Sequence, residues 1–460
     1  MTRINLRTAL PGMLFLLAIA PTVPAQTVTN DNTVLKQIII FGRHSVRSPL
    51  APPSAYAIYS PRPYPDFGVP AGYLTVHGQQ AAVLLGTYYR DYLLAEGLLT
   101  GDGATDLGHS YFRANSIQRS NLTATMFGQG LIPGVTIPVH SYPLNQPDPV
   151  FDPISTGVAA VDANRAADEV QAVYNSGTAL ASAYSSEFSL VRSVLYNYPV
   201  GTEPPPATPS VVIDPTAQAI PLSAATSGVQ TGNVVNLGGL ALTDTAADPF
   251  VMEYADGLPL SDVGWGQLPL DALSQQTRVV TLDESISART PYLDQVQSSN
   301  AAAHVLRSIK QAVLGAAVPG AFSGPTAQVN VVISSDGYIA GLAGLLQAHW
   351  QLSGYQPDFC APGGAMVFEL RQSKATGEYL VRVFYTAQSL DQLRNLTPLS
   401  LATPPETAQL LIPGGSKPGA SLDVKFGTFQ KLLGNAIGRR YVQNPETEVP
   451  PTVLTGVPTH

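Results

Sequence analysis

The sequence predicts an α/β fold, a core of alternating strands and helices interrupted by a mainly helical insert. Three observations carry this. Short runs rich in β-branched residues read as buried strands, "VLKQIIIF" at 34–41 and "QVNVVIS" at 328–334. Between such runs lie longer stretches with apolar residues at three- and four-residue spacing, the pattern of helices that cover a sheet. From about 146 to 285 the strand signals fade and helical patterning dominates. The core is therefore assigned to 26–145 and 286–450, the insert to 146–285, and a short tail to 451–460.

The elements follow in chain order. After the strand at 34–41, residues 51–72 are dense in Pro, Tyr and Gly and predict a long loop. Helices are expected at 79–99 and at 117–131, where Gly130 marks the end. A helical run follows over roughly 159–195. "GTEPPPATPS" at 201–210 reads as a linker or surface loop. "AADPFVMEYADGLPL" predicts a helix stopped by Gly257 and Pro259. "SNAAAHVLRSIKQAVLGAA" predicts an amphipathic helix over 299–317 with Ser299 as its cap. The strand ending near Ser334 is followed by a helix after Gly337, an alternating strand at 378–387 and a last helix over 421–438. No internal repeat is evident.

Composition excludes several classes. The chain has 460 residues, 45% hydrophobic and only 12% charged, enough for a large packed core and too apolar for wholesale disorder. Its net charge of -8 argues against nucleic acid as a partner and makes any cluster of arginines informative. Residues 1–25 read as a signal peptide: Arg3 and Arg7, an apolar run at 10–20 too short to span a bilayer, then small residues at Val23 and Ala25. Cleavage near Ala25 removes two arginines and no acid, moving the net charge from -8 to -10. The mature protein is expected to be exported, periplasmic or secreted, with no membrane span. Its one cysteine, Cys360, rules out an internal disulfide and reads as a small buried apolar residue.

Chemistry concentrates beyond two strand ends. Arg43, His44 and Arg47 follow the first strand, and Ser335 and Asp336 follow the second. In an open α/β sheet, ligands bind beyond the carboxyl ends of the strands. Guanidinium forks suit phosphate oxygens. Neighbouring cations keep an imidazole unprotonated and nucleophilic. A carboxylic acid such as Asp336 can protonate an expelled alkoxide. Asp336 is also in place to be the N-cap of the following helix.

"RHSVRSP" at 43–49 resembles the R-H-G-x-R-x-P signature of the histidine acid phosphatases, the branch that includes bacterial phytases and glucose-1-phosphatases. "GYLTVHGQQAAVLLGTYYR", "IQRSNLTATMFGQGL", "MEYADGLPLSDVGWG", "RTPYL", "PGGAMVFEL" and "TPLSLATPP" are similar to the family's segments, in the family's order. The resemblance implies a three-layer core with a mainly parallel central sheet. It implies that His44 is the nucleophile and becomes phosphorylated, that Arg43, Arg47 and Arg119 hold the phosphate, and that Asp336 donates the proton. It implies no metal and no organic cofactor, and a small phosphate monoester as the partner.

The chain departs from that pattern at Ser335, which stands where the family has a phosphate-binding His. A hydroxyl donates a hydrogen bond but carries no charge. Two functions are therefore open: an acid phosphomonoesterase attenuated at this position, or a phosphate-ester-binding protein with little turnover. Smaller departures are Ser45 for Gly, His77 where Pro and a basic residue are common, and Ala365 for Glu. His109, His140, His304 and His349 read as surface or satisfied core histidines.

Overall fold

A computed structural model describes residues 32–60, 62–196 and 213–443, with the backbone of 451–452. Residues 1–25, read above as a signal peptide, and the Pro-rich 201–210 stretch lie outside the described residues.

Nine strands form one mixed sheet: β1 (Thr33–Arg43), β2 (Ser110–Ala114), β3 (Val139–His140), β4 (Val329–Ser334), β5 (Ala365–Ser373), β6 (Tyr379–Ala387), β7 (Glu406–Gln409), β8 (Val424–Lys425) and β9 (Pro451–Thr452). Their order is β8-β6-β5-β1-β4-β2-β3-β9, with β7 on β6. The block β1-β4-β2-β3 is parallel. The remaining strands join antiparallel, starting with β5 on the other side of β1.

The ten helices used below are α1 (Val76–Glu96), α2 (Gln118–Leu131), α3 (Ala163–Tyr174), α4 (Gly177–Ala183), α5 (Ser185–Tyr196), α6 (Gly239–Ala255), α7 (Leu273–Arg289), α8 (Pro291–Leu314), α9 (Asp336–Leu346) and α10 (Phe426–Ala436).

The side chains of β1 explain the layering. Ile38 and Ile40 enter one apolar core with Leu85, Tyr88 and Tyr89 of α1 and Ala124 and Phe127 of α2. Ile39 and Phe41 enter another with Val305 and Ile309 of α8, Ile339 and Leu342 of α9 and Leu433 of α10. Alternation places successive residues on opposite faces, and a strand with both faces apolar needs a helical layer on each. Each of these four side chains contributes about 1.5–3 kcal/mol by leaving water. The result is the expected three-layer α/β core.

Between β3 and β4 the chain is mostly helical, α3 to α8, with a small two-stranded hairpin, Ser223–Ala224 on Val235–Asn236. It carries an apolar core around Val170, Leu240 and Ile286, and it shares a second, around Val194 and Phe250, with Tyr56, Tyr59 and Tyr64 of the loop after β1. The run expected over 159–195 is three helices, broken at Asn175, which has φ 67°, and at Tyr184. Ser299 is not a cap. It is a buried interior residue of α8, which begins eight positions earlier with Thr290 as N-cap and Pro291 at N1. Proline tolerates N1 because that N–H has no intrahelical partner.

Among the described residues no helix is long and apolar enough to cross a membrane.

Candidate active site

The parallel pairing of β1 with β4 brings Arg43 opposite Ser334, so both strands deliver their next residues to one place. His44 N–H donates to the Ser334 carbonyl at 2.9 Å, and the His44 carbonyl accepts from Gly363 at 2.9 Å. Gly363 has φ 71°, a left-handed conformation open to glycine without strain. From the other layer, Thr123 Oγ1 of α2 accepts the Ser45 N–H at 3.1 Å. The "RHSVRSP" turn is thus held by backbone bonds on two sides. Gly78 of α1 lies so close beneath it that a Cβ there would sit 2.2 Å from the Val46 carbonyl oxygen.

Arg43, His44 and Arg47 are buried. Arg43 forms an ion pair with Asp336 at 2.8 Å, and its Nη1 donates to the Cys360 carbonyl. Arg47 pairs with Asp248 of α6 at 2.9 Å. Arg119, in the first turn of α2, donates to the Gly72 carbonyl at 3.2 Å and faces Arg47, Arg43 and Asp336. Burial and the neighbouring Arg47 lower its pKa to about 10, so it stays charged. Arg43 Nε, Arg47 Nε and Arg119 Nε are buried N–H groups with no hydrogen-bond acceptor. Buried donors cost about 1–3 kcal/mol each when unserved, and an anion at this place is the acceptor they lack.

His44 Nδ1 lies 2.9 Å from the Ser45 carbonyl, which can only accept, so the proton sits on Nδ1. Nε2 keeps its lone pair. Burial, then Arg119, Arg43 and Arg47, hold the imidazole well below its ordinary pKa. It is neutral and nucleophilic even in mild acid.

Asp336 opens α9 at N1. Burial pushes its carboxyl up, but Arg43, Arg47, the Gly337 N–H and Arg119 together outweigh this and hold it below the usual range. The N-cap of α9 is Ser335, not Asp336: Ser335 has the extended backbone of a cap, and Asp336 Oδ1 instead accepts from Gly337 N–H at 3.0 Å. The Ser335 side chain makes no capping bond and is half-buried at the site. All six residues singled out in the sequence therefore converge here. Three other histidines are occupied elsewhere: His77 bonds the Leu393 carbonyl, His304 the Gly320 carbonyl, and His349 pairs with Asp358. Cys360 is buried and its thiol pKa is driven up by burial, then by Glu284 and Asp336, so it is no nucleophile.

Several site residues escape sequence reasoning. Asp248 anchors Arg47, and Asp244, Asp283 and Glu284 surround Asp336. One signal was present: Asp244 and Asp248 stand four apart, one face of a helix.

Comparison with known proteins agrees with this geometry. The sequence profile of the histidine phosphatase superfamily (branch 2) matches residues 31–386. Phytase AppA of Escherichia coli (strain K12) is 28% identical over 432 residues, covering 92% of this chain and 97% of that protein. A glucose-1-phosphatase of Providencia rettgeri is 27% identical over 395 residues, covering 85% and 89%. The solved structure of Hafnia alvei phytase in complex with tartrate superposes with a TM-score of 0.80 at 26% identity, covering 90% of this chain and all of that one.

Proposed function

The chain belongs to branch 2 of the histidine phosphatase superfamily and is an acid phosphatase of that family, and we propose that it hydrolyses small phosphate monoesters through phospho-His44. The observation that carries the proposal is a neutral His44, its free Nε2 among three arginines whose buried N–H groups lack acceptors.

The steps follow from the geometry. The phosphoryl group enters the cradle of Arg43, Arg47 and Arg119, near the N-termini of α2 and α9, where backbone N–H groups and the helix dipole favour an anion. The His44 Nε2 lone pair attacks phosphorus as the bond to the ester oxygen breaks. The leaving oxygen takes a proton from Asp336. Water then attacks the phosphohistidine, Asp336 accepts its proton, and the P–N bond breaks to give phosphate and neutral His44.

Asp336 must be protonated to begin. In the free site the arginines hold it ionised. A bound phosphate takes over those charges and adds its own, so the Asp336 pKa rises and binding draws in a proton at acid pH. This supports an acid working range. Ser335 supplies one neutral donor where the family has a charged one, which supports reduced turnover rather than none.

The same reading includes export after removal of residues 1–25 and a division into a core and an insert over 146–285, which the apolar cluster around Val170, Leu240 and Val279 supports. The test is hydrolysis of a panel of phosphomonoesters from pH 3 to 8. Turnover that is lost in His44→Ala is expected. Calorimetric binding of phosphate esters with no turnover at any pH would favour the alternative, a binding protein that kept the pocket.

A further inference from the structure

Resting on the phosphatase reading, we infer that this pocket takes phosphate monoesters whose leaving group carries a protonated amine, such as amino-sugar or amino-alcohol phosphates. Asp244, Asp283 and Glu284 are the counter-ions of that amine.

The carboxyls around the arginine cradle divide into two sets. Asp248 and Asp336 are each ion-paired, with Arg47 and Arg43. Asp244 on α6 and Asp283 and Glu284 on α7 have no ion-pair partner among the described residues. Glu284 is 9% exposed, and neither of its carboxyl oxygens receives a hydrogen bond. Asp244 Oδ1 is likewise unserved. Buried acceptors with no donor are costly and mark where a donor belongs.

Their position says which part of a substrate meets them. Glu284 faces Asp336, Arg43, Asp244 and Asp283, and Asp283 faces Asp336. Asp244 faces Asp283, Asp248, Asp336 and Arg47. Asp336 protonates the leaving oxygen, so carboxyls beside it stand on the side of the cradle where the leaving group departs.

Burial first, then repulsion from Asp336, pushes Asp283 up to about 7, and burial with repulsion from the neighbouring carboxyls pushes Asp244 and Glu284 well above the ordinary carboxyl range. An ammonium group would supply both the missing donors and the missing positive charge, and the carboxyls would ionise around it. Among the described residues no three His, Cys, Asp or Glu side chains converge as a metal site, which favours a molecular cation over a metal ion. A polyanionic leaving group meets the opposite field. The six lysines, at 36, 310, 374, 417, 425 and 431, all lie outside the segments that form this site.

The test compares glucosamine 6-phosphate with glucose 6-phosphate, which differ by one amine in place of one hydroxyl. At pH 7.5, above the Asp283 value, kcat/KM should favour the amino sugar by about tenfold or more, what one partly buried ion pair supplies. The preference should shrink at pH 5, below the Asp283 value. Asp283→Asn and, separately, Asp244→Asn should lower kcat/KM for the amino sugar more than for glucose 6-phosphate. Equal use of both sugars at pH 7.5 overturns the inference and leaves the phosphatase reading intact. Hydrolysis of neither by enzyme that turns over another monoester overturns the inference alone, and turnover of no monoester from pH 3 to 8 overturns both.

Discussion

Asp336→Asn separates proton donation from phosphate binding. The amide keeps the shape of the carboxyl and an oxygen for the Gly337 N–H, which Asp336 accepts at 3.0 Å. Arg43 loses its ion pair at 2.8 Å but stays anchored on the Cys360 carbonyl, so the cradle persists. What disappears is the proton for the leaving oxygen. For a sugar or alkyl phosphate, kcat should fall about 10²–10⁴-fold, or about 3–5 kcal/mol of transition-state stabilisation. For p-nitrophenyl phosphate, whose leaving phenolate is stable unprotonated, the loss should stay under about tenfold. Affinity should move the other way. Asp336 competes with substrate for Arg43, so free phosphate should inhibit the variant more strongly than the parent. Steady-state kinetics on both substrates, with phosphate as inhibitor, reads all three quantities. Equal losses on the two substrates would refute the assignment of Asp336 as proton donor.

Other outcomes follow from the same geometry. Ser335→His restores a charged donor to the cradle and should raise kcat about 10- to 10³-fold, measured on any good monoester. His44 is held well below its ordinary pKa, so lowering the pH through 6.5 should not protonate it; kcat/KM should show no acid limb there, only one well below. Calorimetry of phosphate binding at pH 5 in buffers of different ionisation enthalpy should report proton uptake, absent in Asp336→Asn. Gly78→Ala forces a Cβ to 2.2 Å from the Val46 carbonyl oxygen. Thermal denaturation should show a loss of about 1–3 kcal/mol, with activity falling as the turn shifts.

Much of this was legible in the sequence because it is local. "IIIFGRHSVRSP" places two arginines and a histidine at a strand end by chain connectivity alone, and "VVISSDG" does the same for Ser335 and Asp336. Arg119 was legible only through the family segment around it, since a lone arginine in a helix says nothing of its direction. The acidic wall was not legible. Asp244 and Glu284 are 40 residues apart and meet only because α6 and α7 pack together beside α9. Local reading also misplaced two caps. Ser299 and Asp336 are residues that caps favour, but Thr290 and Pro291 had already started α8, and Ser335 precedes Asp336 at the start of α9. β5 was missed as a strand because both its faces are covered: Ala365 to Phe368 run apolar without alternation, and the buried charges Glu369 and Arg371 then break any apolar pattern.

The central claim is that His44 carries the phosphoryl group. Rapid quench of the enzyme with ³²P-labelled monoester tests it most directly. The account predicts a phosphoenzyme stable to base and labile to acid, mapping to His44 and absent from His44→Ala. Turnover with no such intermediate, or with the label on another residue, would contradict it.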